Sequence, residues 1–182
     1  FNSGDVMGVS NNGTSLNYTF DGTDWQPGNG SYLVWDDSNL NFQCWYPADG
    51  KNTFSKGYIQ EDQSSATEIA KSDYMTAAVT DLKEIPGNRQ LNVALERKTA
   101  RLILNISHFN AQFADVAKID HVNIISKAST DADEASTVTI NPFPVAGEDG
   151  EVGEVGTTYT ALVAPGAIEA KLYLPSGEAA TT

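Results

Sequence analysis

Apolar and polar residues alternate over short stretches along most of this chain, and turn-forming residues separate the stretches. In residues 91–96 (LNVALE) and again in 168–174 (IEAKLYL), apolar side chains fall at every second position, the period of a strand with one buried and one wet face. Residues 40–46 (LNFQCWY) set Leu40, Phe42, Cys44 and Tyr46 on one side by the same rule. Alternation and β-branched runs predict strands over 5–10, 16–20, 32–35, 40–46, 91–96, 101–107, 121–126, 137–140, 158–164 and 168–174. Between them stand Asn11-Asn12-Gly13, Asp21-Gly22, Asn29-Gly30, Asp49-Gly50 and Gly87-Asn88. Such pairs suit tight hairpins because they tolerate positive φ. Half-buried strands at short, regular spacing predict two packed antiparallel sheets, an all-β sandwich with at most one or two short helices.

The helical period surfaces twice. Phe109, Phe113 and Val116 fall at offsets of a single helix face within 108–118, and residues 65–70 suit one further turn. Residues 129–136 are acidic and small, and 147–156 alternate Gly with Glu, so both read as exposed loops. At 182 residues, one full domain and a small addition are expected. The acidic loop divides the chain into a β-sandwich domain over 1–156 and a segment over 157–182, either a closing hairpin or the opening strands of a truncated second domain.

Charge changes the picture of partners. Twenty-four acidic against eleven basic side chains give a net charge of −13. That balance repels phosphate backbones and argues against a nucleic-acid partner. No apolar run approaches the roughly 20 residues that span a bilayer as a helix. Cys44 is the sole cysteine, so no intrachain disulfide forms, and its place on an apolar strand face predicts a buried structural thiol.

Candidate chemistry is sparse. The chain has no Gly-x-Ser-x-Gly elbow, no His-Glu-x-x-His pair and no Gly-rich phosphate loop between a strand and a helix, so an enzyme is not expected. A dyad of Cys44 with His108 or His121 is the one nucleophilic alternative that spacing leaves open. Two histidines and one cysteine do not supply a closed zinc site. Calcium is the better metal candidate, through Asp131, Asp133 and Glu134 or through Glu148, Asp149, Glu151 and Glu154. Neither loop has the Gly-centred pattern of a dedicated calcium loop, so no metal ligand, cofactor or catalytic residue is assigned. Trp25, Trp35 and Trp45, with Tyr18, Tyr32 and Tyr46, gather in the first third of the chain. Core packing is the expected role of such strand aromatics, and stacking on sugar rings is the alternative. Four Asn-x-Ser/Thr triplets begin at Asn12, Asn17, Asn29 and Asn105.

Several short segments also occur in a telling order: Gly4-Asp5-Val6-Met7-Gly8-Val9, then Tyr18 to Trp25, then Trp45-Tyr46-Pro47, then Gln60, Gln63 and Ser72-Asp73-Tyr74-Met75-Thr76-Ala77. In this the chain resembles the fimbrillin-like family, the subunits of type V pili and related Bacteroidetes surface lipoproteins. It departs from many relatives at Leu95-Glu96-Arg97-Lys98, where they carry a Phe-x-His pair. The resemblance implies a Greek-key or transthyretin-like sandwich, export as a lipoprotein of the outer membrane, and loss of an N-terminal segment. It also implies further chain beyond Thr182, and a place in an extracellular fimbrium. Its implied partners are other pilin subunits joined by donor-strand addition, together with host or bacterial surface proteins or glycans. A surface glycan-binding module of the same envelope is the alternative.

Overall fold

The computed structural model describes residues 1–34, 40–80, 82–109, 118–147, 150–175 and 179–180. Its elements in chain order are β1 (Val6–Asn11), β2 (Thr14–Phe20), β3 (Trp25–Pro27), a 3₁₀ turn (Gly28–Gly30), β4 (Phe42–Tyr46) and α1 (Ala66–Ala70). There follow β5 (Met75–Val79), β6 (Glu96–Arg97), β7 (Ala100–Asn105), β8 (His121–Lys127), β9 (Thr137–Ile140), β10 (Phe143–Val145), β11 (Thr158–Val163), β12 (Glu169–Tyr173) and β13 (Ala179–Ala180). The strand ladders are antiparallel, and the protein is an all-β sandwich with one short α-helix among the described residues. The chain forms two compact units, each built from two pieces: Phe1–Tyr58 with Asp73–Lys98, and Ile59–Ser72 with Thr99–Thr182.

The first unit is organised by one six-stranded sheet in the order β3-β2-β1-β4-β5-β6. Its founding hairpin joins β1 to β2 through Asn12 and Gly13, both at positive φ (48° and 79°), which matches the strand twist as Asn-Gly pairs do. Val9 faces Cys44 and Cys44 faces Ala77 across the ladders, so the three share one side of the sheet. With Met7 and Phe42 they form the buried core of this unit. On the other side Gly8 faces Trp45, and a Cβ at Gly8 would land inside the indole ring, so the close approach requires glycine.

The second unit stacks a three-stranded sheet, β10-β11-β7, against a four-stranded one, β13-β12-β8-β9. Tyr159, Ala161 and Val163 of β11 meet Val122 and Ile124 of β8 and Val138 and Ile140 of β9 in a single core. Alternation inside β8 and β9 is strict, every second residue being buried. Gln63 adds a polar clasp to this core. Its side-chain Nε2 donates to the Leu162 carbonyl at 2.9 Å, and its Oε1 accepts from the Leu162 N–H at 2.7 Å. The amide therefore imitates a strand's backbone, satisfying both groups of a buried residue that water cannot reach. The stretch 157–182 serves both sheets, with β11 pairing to β10 and β7, and β12 pairing to β8 and β13.

Several expectations need correction. No strand spans 91–96, since only Glu96–Arg97 joins a ladder, on β5. Residues 91–95 do alternate inward and outward, and Leu91, Val93 and Leu95 pack on the first unit's core. Alternation reports a buried face, and here a strap crossing the sheet supplies it without backbone pairing. Residues 32–34 are likewise not a strand, and Tyr32 and Val34 are exposed; Trp35 lies outside the described residues. Four strands were not expected: β3, β5, β10 and β13. Pro27 and Pro144 disguise β3 and β10, and both are edge strands, where a missing N–H is tolerated. The helix expected at 65–70 is present as α1, with the Ser65 hydroxyl accepting from Glu68 N–H at 3.2 Å as an N-cap. Of the helix expected over 108–118, residues 110–117 lie outside the described residues.

Candidate functional site

The motif residues are placed by local packing. Gly8 lies beneath Trp45, and Gly57 lies beneath the ring of Tyr74, whose hydroxyl donates toward the Thr53 and Phe54 carbonyls at 2.7 and 2.8 Å. The Ser72 hydroxyl accepts from Gln60 N–H at 2.9 Å and from Gln63 Nε2 at 3.2 Å, so the two glutamines and the serine hold one another. Asp73 takes a two-pronged contact from Arg97, in which Nη2 donates to Oδ2 at 2.7 Å and Nε to Oδ1. Arg97 ties β6 back to the start of β5. These contacts build the fold.

Nucleophilic chemistry finds no support at Cys44. The side chain is 0% exposed within the first unit's core, and burial pushes its thiol up to about 11. Low thiolate character and lack of access both oppose reactivity. His121 Nδ1 lies 2.7 Å from the Asp120 carboxylate, and the ring stacks on Tyr173 at 4.2 Å across the β8–β12 ladder. His108 Nδ1 lies 3.1 Å from the Ser107 hydroxyl.

The first acidic loop folds on itself. Asp131 accepts from Asp133 N–H at 3.0 Å, and Glu134 accepts from the Ser136 N–H and hydroxyl at 2.9 and 2.6 Å. Among the described residues no group of His, Cys, Asp or Glu is placed to hold a metal ion; Glu148 and Asp149 lie outside them.

Of the first-third aromatics, Trp25 and Tyr46 join Phe1 and Phe20 in an angled cluster, while Tyr32 is exposed and Trp35 lies outside the described residues. Phe1 meets Trp25 at 5.2 Å and 76°, and Tyr46 at 5.0 Å and 78°, while Phe20 meets Trp25 at 43°. Edge-to-face rings of this kind pack against one another and do not offer a common plane. Tyr18 anchors the chain beyond β3, its hydroxyl accepting from Leu33 N–H at 3.2 Å.

Two surfaces remain. In the first unit a cavity of about 760 Å³ opens between the sheet face and the strap, lined by Met7, Val9, Trp25, Leu33, Leu91 and Val93 among others. In the second unit β7 is an edge strand that pairs on one side only, with β11, among the described residues. Its Leu102 and Leu104 pack on the core, whereas Ile103 points outward and is 56% exposed. Sequence reading located this strand but missed its position at the edge. The only local signal was an isoleucine on the side otherwise taken by Arg101 and Asn105.

The N-terminal strand is not an edge. β1 lies between β2 and β4 in the six-stranded sheet.

Comparison with known proteins agrees with this architecture. Solved structures with the same fold include a candidate cell adhesion protein from Bacteroides uniformis ATCC 8492 (TM-score 0.55, 16% identity, covering 98% of this chain and 77% of that one). Another is a fimbrial protein from Bacteroides ovatus ATCC 8483 (TM-score 0.56, 19% identity, covering 100% of this chain). This chain spans only 41% of that protein's length. A candidate cell adhesion protein from the same Bacteroides ovatus strain is also similar (TM-score 0.57, 15% identity, covering 100% of this chain and 76% of that one). No curated protein matches the chain. The family model described as fimbrillin-like matches residues 2–176, and the chain belongs to the fimbrillin-like family.

Proposed function

We propose that this chain is a non-enzymatic, cell-surface fimbrial subunit or fimbrillin-like adhesin, carried on the outer membrane as part of a type V pilus and assembled by strand exchange with other subunits. Family membership supports the general role. The observation that carries the assembly mode is the edge of β7, six residues paired to β11 and open on the opposite side among the described residues. An open edge presents a row of backbone N–H and C=O groups that an extended segment can complete, while alternate apolar side chains give specificity. Ile103, exposed at the middle of that strand, supplies an apolar contact beside the row.

The test is a charge on the edge. Ile103→Lys should leave the subunit's stability within about 0.5 kcal/mol of wild type, because the side chain is on the surface. It should also remove fibres from cells that export the subunit normally, as seen by electron microscopy and by size-exclusion of shed material. Fibres at wild-type abundance would end the strand-exchange reading at this edge.

A further inference from the structure

The segment that covers the first unit's core is held differently from the rest of the molecule. Between the end of β5 at Val79 and the start of β6 at Glu96, none of the described residues makes a backbone hydrogen bond to the sheet. The bonds of this stretch are its own. Arg89 N–H donates to the Pro86 carbonyl at 2.8 Å, and Asn88 and Gln90 bond each other. Arg89 sits at φ 55° two residues after Gly87, so the tip is a sharp turn with its own internal bonding. What attaches the strap is apolar contact: Leu82, Leu91, Val93 and Leu95 rest, partly buried, on a cluster that contains Met7, Val9, Phe42 and Cys44. Alongside it runs the cavity of about 760 Å³, whose lining includes both the strap and the sheet face, so the strap is not packed tightly against what it covers.

We infer that residues 82–95 form a hinged lid over the apolar face of the six-stranded sheet, opening as a local unit while the sheet stays folded. This conformational device is independent of the strand-exchange reading, which concerns β7 in the other unit. Segments with few buried contacts and no ladder bonds open at lower free energy than core strands. Opening this one would uncover Met7, Val9 and Phe42 and join the cavity to the space the strap vacates.

The sole cysteine is a built-in reporter of that motion, because it lies on the covered face and is fully buried in the closed form. Thiol labelling of the full chain would be followed across denaturant concentrations, beside global unfolding of the same unit read by tryptophan fluorescence. A lid exposes little surface, so labelling at low denaturant should depend only weakly on denaturant and join the steep global line at higher concentration. Leu91→Ala should speed labelling in water on the order of tenfold, from the lost contact. Tyr74→Phe, which weakens the unit away from the strap, should lower the global midpoint and leave labelling in water unchanged. The inference is overturned by labelling that follows the global slope at every concentration. It is equally overturned if Leu91→Ala labels no faster than wild type, or if Tyr74→Phe accelerates labelling in water as much as Leu91→Ala does.

Discussion

The two units solve the same problem with different materials. A sheet with one apolar face must cover it, and in the second unit the cover is another sheet. Ile124 and Ile140 of one sheet and Ala161 of the other are 0% exposed. In the first unit the corresponding face is covered by a strap whose Leu91, Val93 and Leu95 are only partly buried and which, among the described residues, lacks ladder bonds to the sheet. The same alternation of apolar residues thus appears in 121–127 and in 91–95, yet only the former is a strand. Period two certifies a face; backbone pairing needs a neighbour of matching length and register.

Equivalent truncations in the two covers should therefore differ most. Ile124→Ala removes a fully buried side chain from a core closed on both sides and should cost about 2–5 kcal/mol. Leu91→Ala removes a partly buried one from a strap that can settle, and should cost about 1 kcal/mol. The tryptophans at 25, 35 and 45 all fall within Phe1–Tyr58, so fluorescence follows the first unit and far-ultraviolet circular dichroism follows both. Equal losses for the two variants would erase the distinction between the covers.

Alkaline pH should divide the units next. Burial pushes Cys44 from 9.0 up to about 11 and Tyr74 from 10.0 up to about 12. Tyr46 also rises from 10.0 to about 12, first through burial and then through the Asp5 carboxylate beside it. All three lie in the first unit, while Tyr159 of the second is raised in the same direction by burial. In each case the unfolded chain ionises first, so the stabilisation is complete below the unfolded value and is lost as pH rises toward the folded one. The loss should begin near pH 9 with Cys44 and steepen above pH 10 as the tyrosines join, at up to about 1.4 kcal/mol per pH unit for each group. Denaturant midpoints read by fluorescence should fall across this window, and Cys44→Ala should flatten its lower part. A midpoint constant from pH 9 to 11 would contradict the burial of these groups.

Much of this fold was legible because it is local. Asn12-Gly13 announced the β1–β2 hairpin, and β-branched and alternating runs over 121–126 and 137–140 announced β8 and β9. What stayed hidden is non-local. That β7 ends a sheet among the described residues, and that β1 is flanked on both sides, are matters of strand order, which periodicity does not encode. The Gln63 clasp joins residues 99 apart in sequence, so a glutamine that reads as loop is in fact fully buried. β5 went unread as a strand because Thr76, Ala77 and Ala78 lack the bulky alternation that marks its neighbours. The candidate surfaces share this limit, since an open edge and a strap are defined by what does not pair with them.

The smallest expected effect lies at the pair of Arg97 with Asp73. Arg97 grips Asp73 with two donors, a geometry better than most surface pairs. Yet the Arg97 side chain is 53% exposed, so water and salt screen the pair. Exposed ion pairs of this kind contribute about 0–1 kcal/mol, and the fork should put this one toward the upper end. Arg97→Ala should therefore lower the fluorescence-detected stability by less than about 1 kcal/mol, and the difference from wild type should shrink in 1 M salt. A double-mutant cycle with Asp73→Ala isolates the coupling from the packing of the arginine stem. Coupling well above 1 kcal/mol that persists in high salt would mean that β6 is held by charge. It would then be the pair, rather than backbone pairing with Met75 and Thr76, that secures the hinge from which the strap departs.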